Sequence, residues 1–193
     1  MKEKLLLVGS GGFGRVALEH ASKDYECAFI DDGPAIGTVI DGVTVIGRTN
    51  ELQKFYPDYT NLIVAIGDNK LREKIYSEAK QIGYSFPNII VSSAYISSHS
   101  SIGKGCVILN NAVVQNEAKI GDGCILNPGV EAHHGATIGD YCLIYTNSVV
   151  RSLAVVGNRA WIGSTATIST GAKVLEDAIV EDGTVVKPLD KNV

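Results

Sequence analysis

From Ile90 to Val186 every sixth residue is apolar: Ile90, Ile96, Ile102, Ile108, Val114, Ile120, Leu126, Ala132, Ile138, Ile144, Val150, Val156, Ile162, Ile168, Val174, Val180 and Val186. Only Ala132 in this column is small. A second column lies four residues after each, running from Ala94, Ser100, Cys106 and Ala112 through Cys124, Val130, Cys142 and Ala160 to Ala178 and Thr184, and its members are small apart from Val130. A 3.6-residue helical period would smear such a column around the cylinder, and alternation along one long strand does not generate it. A solenoid does. Three hexads close one triangular coil, the large aliphatics fill the interior, and the small residues sit at the corners where space is short. Coils stack at about 4.8 Å, so residues eighteen apart lie above one another, as Cys106, Cys124 and Cys142 do.

The chain before this repeat follows different rules. Leu5-Leu6-Leu7-Val8 predicts a buried strand, Gly9-Ser10-Gly11-Gly12-Phe13-Gly14 a glycine turn, and Val16, Ala17, His20 and Ala21 the apolar face of a helix. Strand, glycine turn and helix are the setting in which such a motif holds a phosphate on backbone N–H groups. A second strand, Cys27–Ile30, ends in Asp31-Asp32, placed to accept hydrogen bonds from a ribose or base. A third, Leu62–Ile66, ends in Gly67-Asp68-Asn69. The helix after it is expected to bury Leu71, Ile75, Ala79 and Ile82 and to stop at Gly83. The plainer reading, a tight turn and solvated strand ends, fits the first loop equally well when it is taken alone. The α/β part ends near Phe86, too short for the two halves that bind a dinucleotide, so a nucleotide-linked ligand is expected rather than NAD. The domain boundaries are thus 1–86, a small Rossmann-like α/β domain expected to bind that nucleotide-linked ligand, and 87–193, the β-solenoid. Pro87 marks the passage with no flexible linker, which implies rigid packing of the two.

Composition narrows the function. A net charge of −4 with no basic cluster argues against nucleic acid. The run Leu5–Val8 is too short for a signal peptide, and nothing approaches the roughly eighteen apolar residues of a membrane span. Three of the four cysteines belong to the small-residue column. They are read as reduced filler and the protein as cytoplasmic.

The starts Ile102-Gly103, Ile120-Gly121, Ile138-Gly139, Val156-Gly157 and Ile162-Gly163 resemble the hexapeptide repeat of left-handed β-helix acyltransferases. With Gly9 to Gly14, Asp31-Asp32, Ala65-Ile66-Gly67-Asp68-Asn69, Arg72 and His134-Gly135-Ala136-Thr137-Ile138-Gly139, the chain resembles the sugar O-acyltransferase family, which includes sialic acid O-acetyltransferases and UDP-4-amino-sugar N-acetyltransferases. The resemblance implies a homotrimer that binds acetyl-CoA between neighbouring β-helices, with no metal. It places the nucleotide sugar on Gly9, Gly11, Gly12, Phe13, Gly14, Asp31, Asp32, Gly67, Asn69 and Arg72, and acetyl-CoA on later coils at Asn147, Leu153 and Gly163.

The resemblance also implies a histidine base, four residues before an Ile-Gly start, which here is His134. An imidazole with an ordinary pKa of about 6.5 suits proton removal at neutral pH. The repeat weakens locally, with Ala132 in the aliphatic column and His133-His134 beside it. His133 is the alternative base. A solvated histidine with no role is the plain alternative for either. The family's acidic neighbour of the histidine is replaced by Gly135, and by stacking Glu117 lies one coil below, where it is expected to substitute. A family glycine is replaced by Leu153, and the Pro-Ala tail is absent from Val186-Lys187-Pro188-Leu189. Trp161 is either an interface anchor or an ordinary packed residue. Three functions stay open: N-acetylation of a nucleotide-linked amino sugar, which leads; O-acetylation of a free sugar; and a catalytically silent nucleotide-sugar-binding module.

Overall fold

The computed structural model describes residues 2–188. By its contacts the chain divides into two compact units, Met1–Ile89 and Ile90–Val193.

The first unit is built on a five-stranded, largely parallel sheet. Strand β1 (Glu3–Val8) pairs in parallel with β2 (Tyr25–Ile30) on one side and β5 (Asn61–Val64) on the other. Strand β4 (Val43–Gly47) extends the parallel sheet beyond β2, and β3 (Val39–Ile40) closes that edge antiparallel. Leu5 to Val8 and Leu62 to Val64 are buried, as strands covered on both faces require. Helix α1 (Gly12–Ala21) follows β1, the short α2 (Leu52–Phe55) follows one 3-10 turn at Thr49–Glu51, and α3 (Asn69–Ile82) follows β5.

The chain crosses from β1 to β2 on one side and later reaches β5 on the other. The loops at the C-terminal ends of these three strands therefore meet at the point where strand order reverses. Helix α3 begins where the Asp68 carboxylate accepts the Leu71 N–H at 2.9 Å, and it ends at Gly83, which adopts a left-handed φ of 115°. Its buried face carries Arg72, Ile75, Tyr76 and Ala79. The expected stripe is corrected at Leu71, which is exposed because the helix turns that position toward the strand-end loops. Helix α1 likewise buries Gly14, Ala17, Leu18 and Ala21 and leaves Val16 exposed.

The second unit is a parallel β-helix. Two-residue strands from Ile89–Ile90 to Val185–Val186 form three sheets of six, six and five strands, and each strand pairs with the one three strands later. The register is eighteen residues throughout, as in Leu126↔Ile144, Ile144↔Ile162 and Ala132↔Val150. The aliphatic column points inward and is buried from Ile108 to Val180, and so is the small-residue column from Cys106 to Ala172.

The structure refines the corners. Every sixth residue from Gly105 to Gly183 is left-handed, with φ between 56° and 72°, and it stands directly before the small residue. That residue makes the bend. The small residue that follows belongs to the core and is buried at every corner from Cys106 to Ala172, with Val130 the bulkiest of the column. Three corner thiols use their one donor there: Cys106, Cys124 and Cys142 point Sγ at the carbonyl oxygens of Gly121, Gly139 and Gly157 at 3.0–3.1 Å. Burial, then hydrogen bonding with Cys106 and Cys142, pushes the Cys124 thiol far above its usual range. A second ladder runs up one edge, where Asp122, Asp140 and Asn158 each accept the N–H of the residue eighteen positions earlier at 2.8–2.9 Å.

Candidate active site and nucleotide pocket

The glycine loop after β1 has a steric reason for each end. A Cβ on Gly14 would lie 1.9 Å from the Gly9 carbonyl oxygen, so only glycine lets α1 start against the loop. Gly9, at a left-handed φ of 97°, would bring a Cβ to 2.9 Å from the Ala65 oxygen. Gly11 and Gly12 face open space. They line a cavity of about 400 Å³ together with Gly9, Phe13, Asp31, Asp32, Ile66, Gly67 and Leu71. The first N–H groups of a helix lack partners within it, and α1 begins at this cavity without a side-chain cap. The volume lies within the range of small-molecule sites.

The acidic pair is more engaged than its strand-end position suggests. Asp31 Oδ2 accepts both the N–H and the hydroxyl of Ser10 at 2.6 Å, and Oδ1 accepts the Gly33 N–H at 2.8 Å. Burial pushes this carboxyl up, but the bonds from Ser10 and Gly33 and the charge of Arg48 outweigh it, leaving the pKa below the ordinary 3.8. Asp32 accepts the N–H and hydroxyl of Thr49 at 2.9 and 2.6 Å while remaining exposed. Asp31 thus ties the glycine loop to β2, and Asp32 keeps a face toward the cavity.

The expectation for Arg72 and Asn69 is corrected. Arg72 is 0% exposed, donates to the Ile66 carbonyl at 2.8 Å and to Asn69 Oδ1 at 2.7 Å, and is the largest fully buried side chain among the described residues. Neither residue is open to a ligand. They hold the Ile66–Asp68 turn from behind, and Gly67 and Asp68 are its exposed members.

In the β-helix, His134 is exposed just before the corner residue Gly135. Its backbone N–H donates to Gln115 Oε1 at 3.0 Å, and its Nε2 lies 2.8 Å from Ser152 Oγ, one coil further on. Nδ1 makes no hydrogen bond among the described residues. His133 is turned the other way, with Nε2 2.9 Å from Glu131 Oε2. Glu117 occupies the matching corner one coil below Gly135, at φ 58°, but the ring nitrogen that is engaged meets Ser152 and not Glu117. Sequence reasoning missed Ser152 as the ring partner. The signal was the same eighteen-residue addition that pointed to Glu117, taken upward instead of downward.

Of the positions expected to contact acetyl-CoA, Asn147 and Leu153 are exposed corner residues with φ of 58° and 62°. Gly163 is buried, which corrects the expectation of direct contact. A Cβ there would lie 2.5 Å from the Asp182 nitrogen, and its carbonyl accepts the Ser148 hydroxyl at 2.6 Å, so coil packing alone demands the glycine. Trp161 lies against Tyr145 with ring centroids 4.9 Å apart. Among the described residues no group of three or more His, Cys, Asp or Glu is placed to hold a metal.

A parallel β-helix of hexads and an α/β domain with a glycine loop at its switch point together define a two-part hexapeptide-repeat protein. Comparison with known families agrees: residues 4–79 match the PglD N-terminal domain, and residues 99–132 and 117–152 match the bacterial transferase hexapeptide repeat. PerB from Caulobacter crescentus, solved with CoA and GDP-perosamine, is 30% identical over 96% of this chain and 89% of its own, with a TM-score of 0.90. The acetyltransferase domain of PglB from Neisseria gonorrhoeae FA1090, solved with acetyl coenzyme A, is 28% identical over 98% of this chain and 100% of its own, with a TM-score of 0.86. A histidine-to-alanine mutant of the Caulobacter crescentus GDP-perosamine N-acetyltransferase, again with CoA and GDP-perosamine, is 29% identical over 96% and 89%, with a TM-score of 0.91. The chain belongs to the hexapeptide-repeat acetyltransferases, left-handed β-helix enzymes, that carry a PglD-type N-terminal domain.

Proposed function

We propose that this protein transfers an acetyl group from acetyl-CoA to the amino group of a nucleotide-linked sugar, with His134 as general base. The observation that carries the reading is His134 itself: an exposed imidazole at a β-helix corner with one ring nitrogen held and the other turned to no protein partner among the described residues. It stands in a chain 30% identical over nearly its whole length to an enzyme solved with CoA and GDP-perosamine.

The amine nitrogen attacks the thioester carbonyl carbon, and the new C–N bond forms as the C–S bond breaks. His134 takes the proton the amine must lose, and the imidazolium returns a proton to the departing sulfur. Gly11, Gly12 and Phe13 at the start of α1 offer backbone N–H groups to the diphosphate, and Asp32 offers its carboxylate to the ribose or base. Gly9, Gly14 and Asp31 shape that loop. Asn147 and Leu153 are the exposed corners assigned to acetyl-CoA, Glu117 adds negative charge one coil below Gly135, beside the base, and the active assembly is a homotrimer in the cytoplasm, where the thiols stay reduced.

His134→Ala is expected to lower kcat by roughly 10²–10⁴-fold while circular dichroism and the mass from light scattering stay those of the parent trimer. Retention of the parent rate overturns the assignment of the base. The same assay run with the free amino sugar separates this reading from acetylation of free sugars, because a substrate held through its nucleotide loses turnover without it.

A further inference from the structure

The geometry points to Ser152 as the positioning residue for His134: its hydroxyl accepts the Nε2–H, which leaves Nδ1 as the nitrogen that takes the substrate's proton. This inference rests on His134 being the base. A neutral imidazole has one N–H and one lone pair. Were the Ser152 O–H donating to Nε2, the only lone pair of the ring would be occupied by the protein, and the remaining nitrogen would carry a proton. A base needs the opposite arrangement, in which the bond to Ser152, 2.8 Å long, consumes the N–H.

The surroundings give the bond its purpose. The backbone at His134 is pinned from both neighbouring coils, because its N–H donates to Gln115 Oε1 at 3.0 Å and its carbonyl accepts the Leu153 N–H at 3.3 Å. The ring needs a separate anchor. Gly135 carries no side chain to provide one, and a Cβ there would meet Leu153 Cδ2 at 2.9 Å. The neighbouring carboxylate of Glu131 is already engaged by His133 at 2.9 Å. Ser152 is the side chain that reaches the ring, from the place directly above it in the stack. During transfer, the Nε2 proton stays on the ring, donated to Ser152 Oγ, while the amine proton arrives at Nδ1 and leaves for the thiolate sulfur. No second proton moves.

The test uses full-length protein with ¹⁵N-labelled histidine, and the His134 resonances are assigned by their loss in His134→Asn. The parent is expected to show His134 as the Nε2–H tautomer. Ser152→Ala is expected to lose that preference and to lower kcat about 10–100-fold, with KM for both substrates unchanged, and Ser152→Thr, which keeps the hydroxyl, to restore both. An Nδ1–H tautomer in the parent, or Ser152→Ala with the parent's tautomer and kcat, overturns the inference. Failure of the base assignment looks different: His134→Asn then keeps the parent kcat, while the tautomer shift in Ser152→Ala still reports whether the hydroxyl holds the ring.

Discussion

Gly14 shows how far a single hydrogen atom in place of a methyl group can reach. With a Cβ placed 1.9 Å from the Gly9 carbonyl oxygen and 2.7 Å from its carbonyl carbon, Gly14→Ala has nowhere to relax except by moving α1 off the loop. The expected cost is about 1–3 kcal/mol, measured as a lower urea midpoint, together with loss of nucleotide binding by calorimetry. Asp31 adds a pH signature. Its folded pKa lies below the ordinary 3.8, so its contribution is fully present above that value and is lost as pH falls through the folded pKa. The difference in urea midpoint between the parent and Asp31→Asn should be constant above the ordinary pKa and shrink below it. At this scale the sequence was legible for type but not for role. Asp31-Asp32 and Arg72 announced a polar loop cluster, yet how each carboxylate is held depends on Ser10 and Thr49, whose closeness to them arises only from the crossing of β1, β2 and β4. Arg72 sits behind the loop rather than in front of it, because the Ile66 carbonyl and the Asn69 amide oxygen need a buried donor there.

The hexad is the element in which sequence and structure coincide most closely, since each coil repeats the same inward, corner and outward places. An eighteen-residue spacing converts directly into contact, so the column of thiols and the matching corners of Glu117, Gly135 and Leu153 follow by addition. The elements of the first unit were less legible. The segment 33–60 carries β3, β4 and α2, which are short and lack a strong period, and the burial of α3 is rotated from the expected stripe because the arginine takes a core position. The thiols report on the elements that hold them. Cys106, Cys124 and Cys142 are expected to resist a thiol reagent in the native protein and to react fully in denaturant, whereas the half-buried Cys27, whose thiol burial pushes up to about 11, reacts slowly in between.

Across the whole molecule, the two units stabilise themselves by different rules. The first closes around a sheet covered by helices, and its contacts join residues far apart in the chain. The second is quasi-one-dimensional, since each coil touches only the coils before and after it. Amide exchange should therefore be slowest in the middle of the stack, at Leu126, Ile144 and Ile162, and should quicken steadily toward Val186, where Ile179 and Val185 are already 68% and 55% exposed. A uniform exchange rate along the column would contradict nearest-neighbour stacking.

The left-handed residue recurring at every sixth position also governs which changes in chain length the fold can absorb. Losing one residue from a flat side turns every following aliphatic outward and moves each bend onto a residue that resists it, whereas losing eighteen removes one storey and leaves the others aligned. Descendants of this chain can thus shorten or lengthen cheaply only by whole storeys, or by loops bulging from a corner, and the distance from His134 to either end of the stack changes in steps.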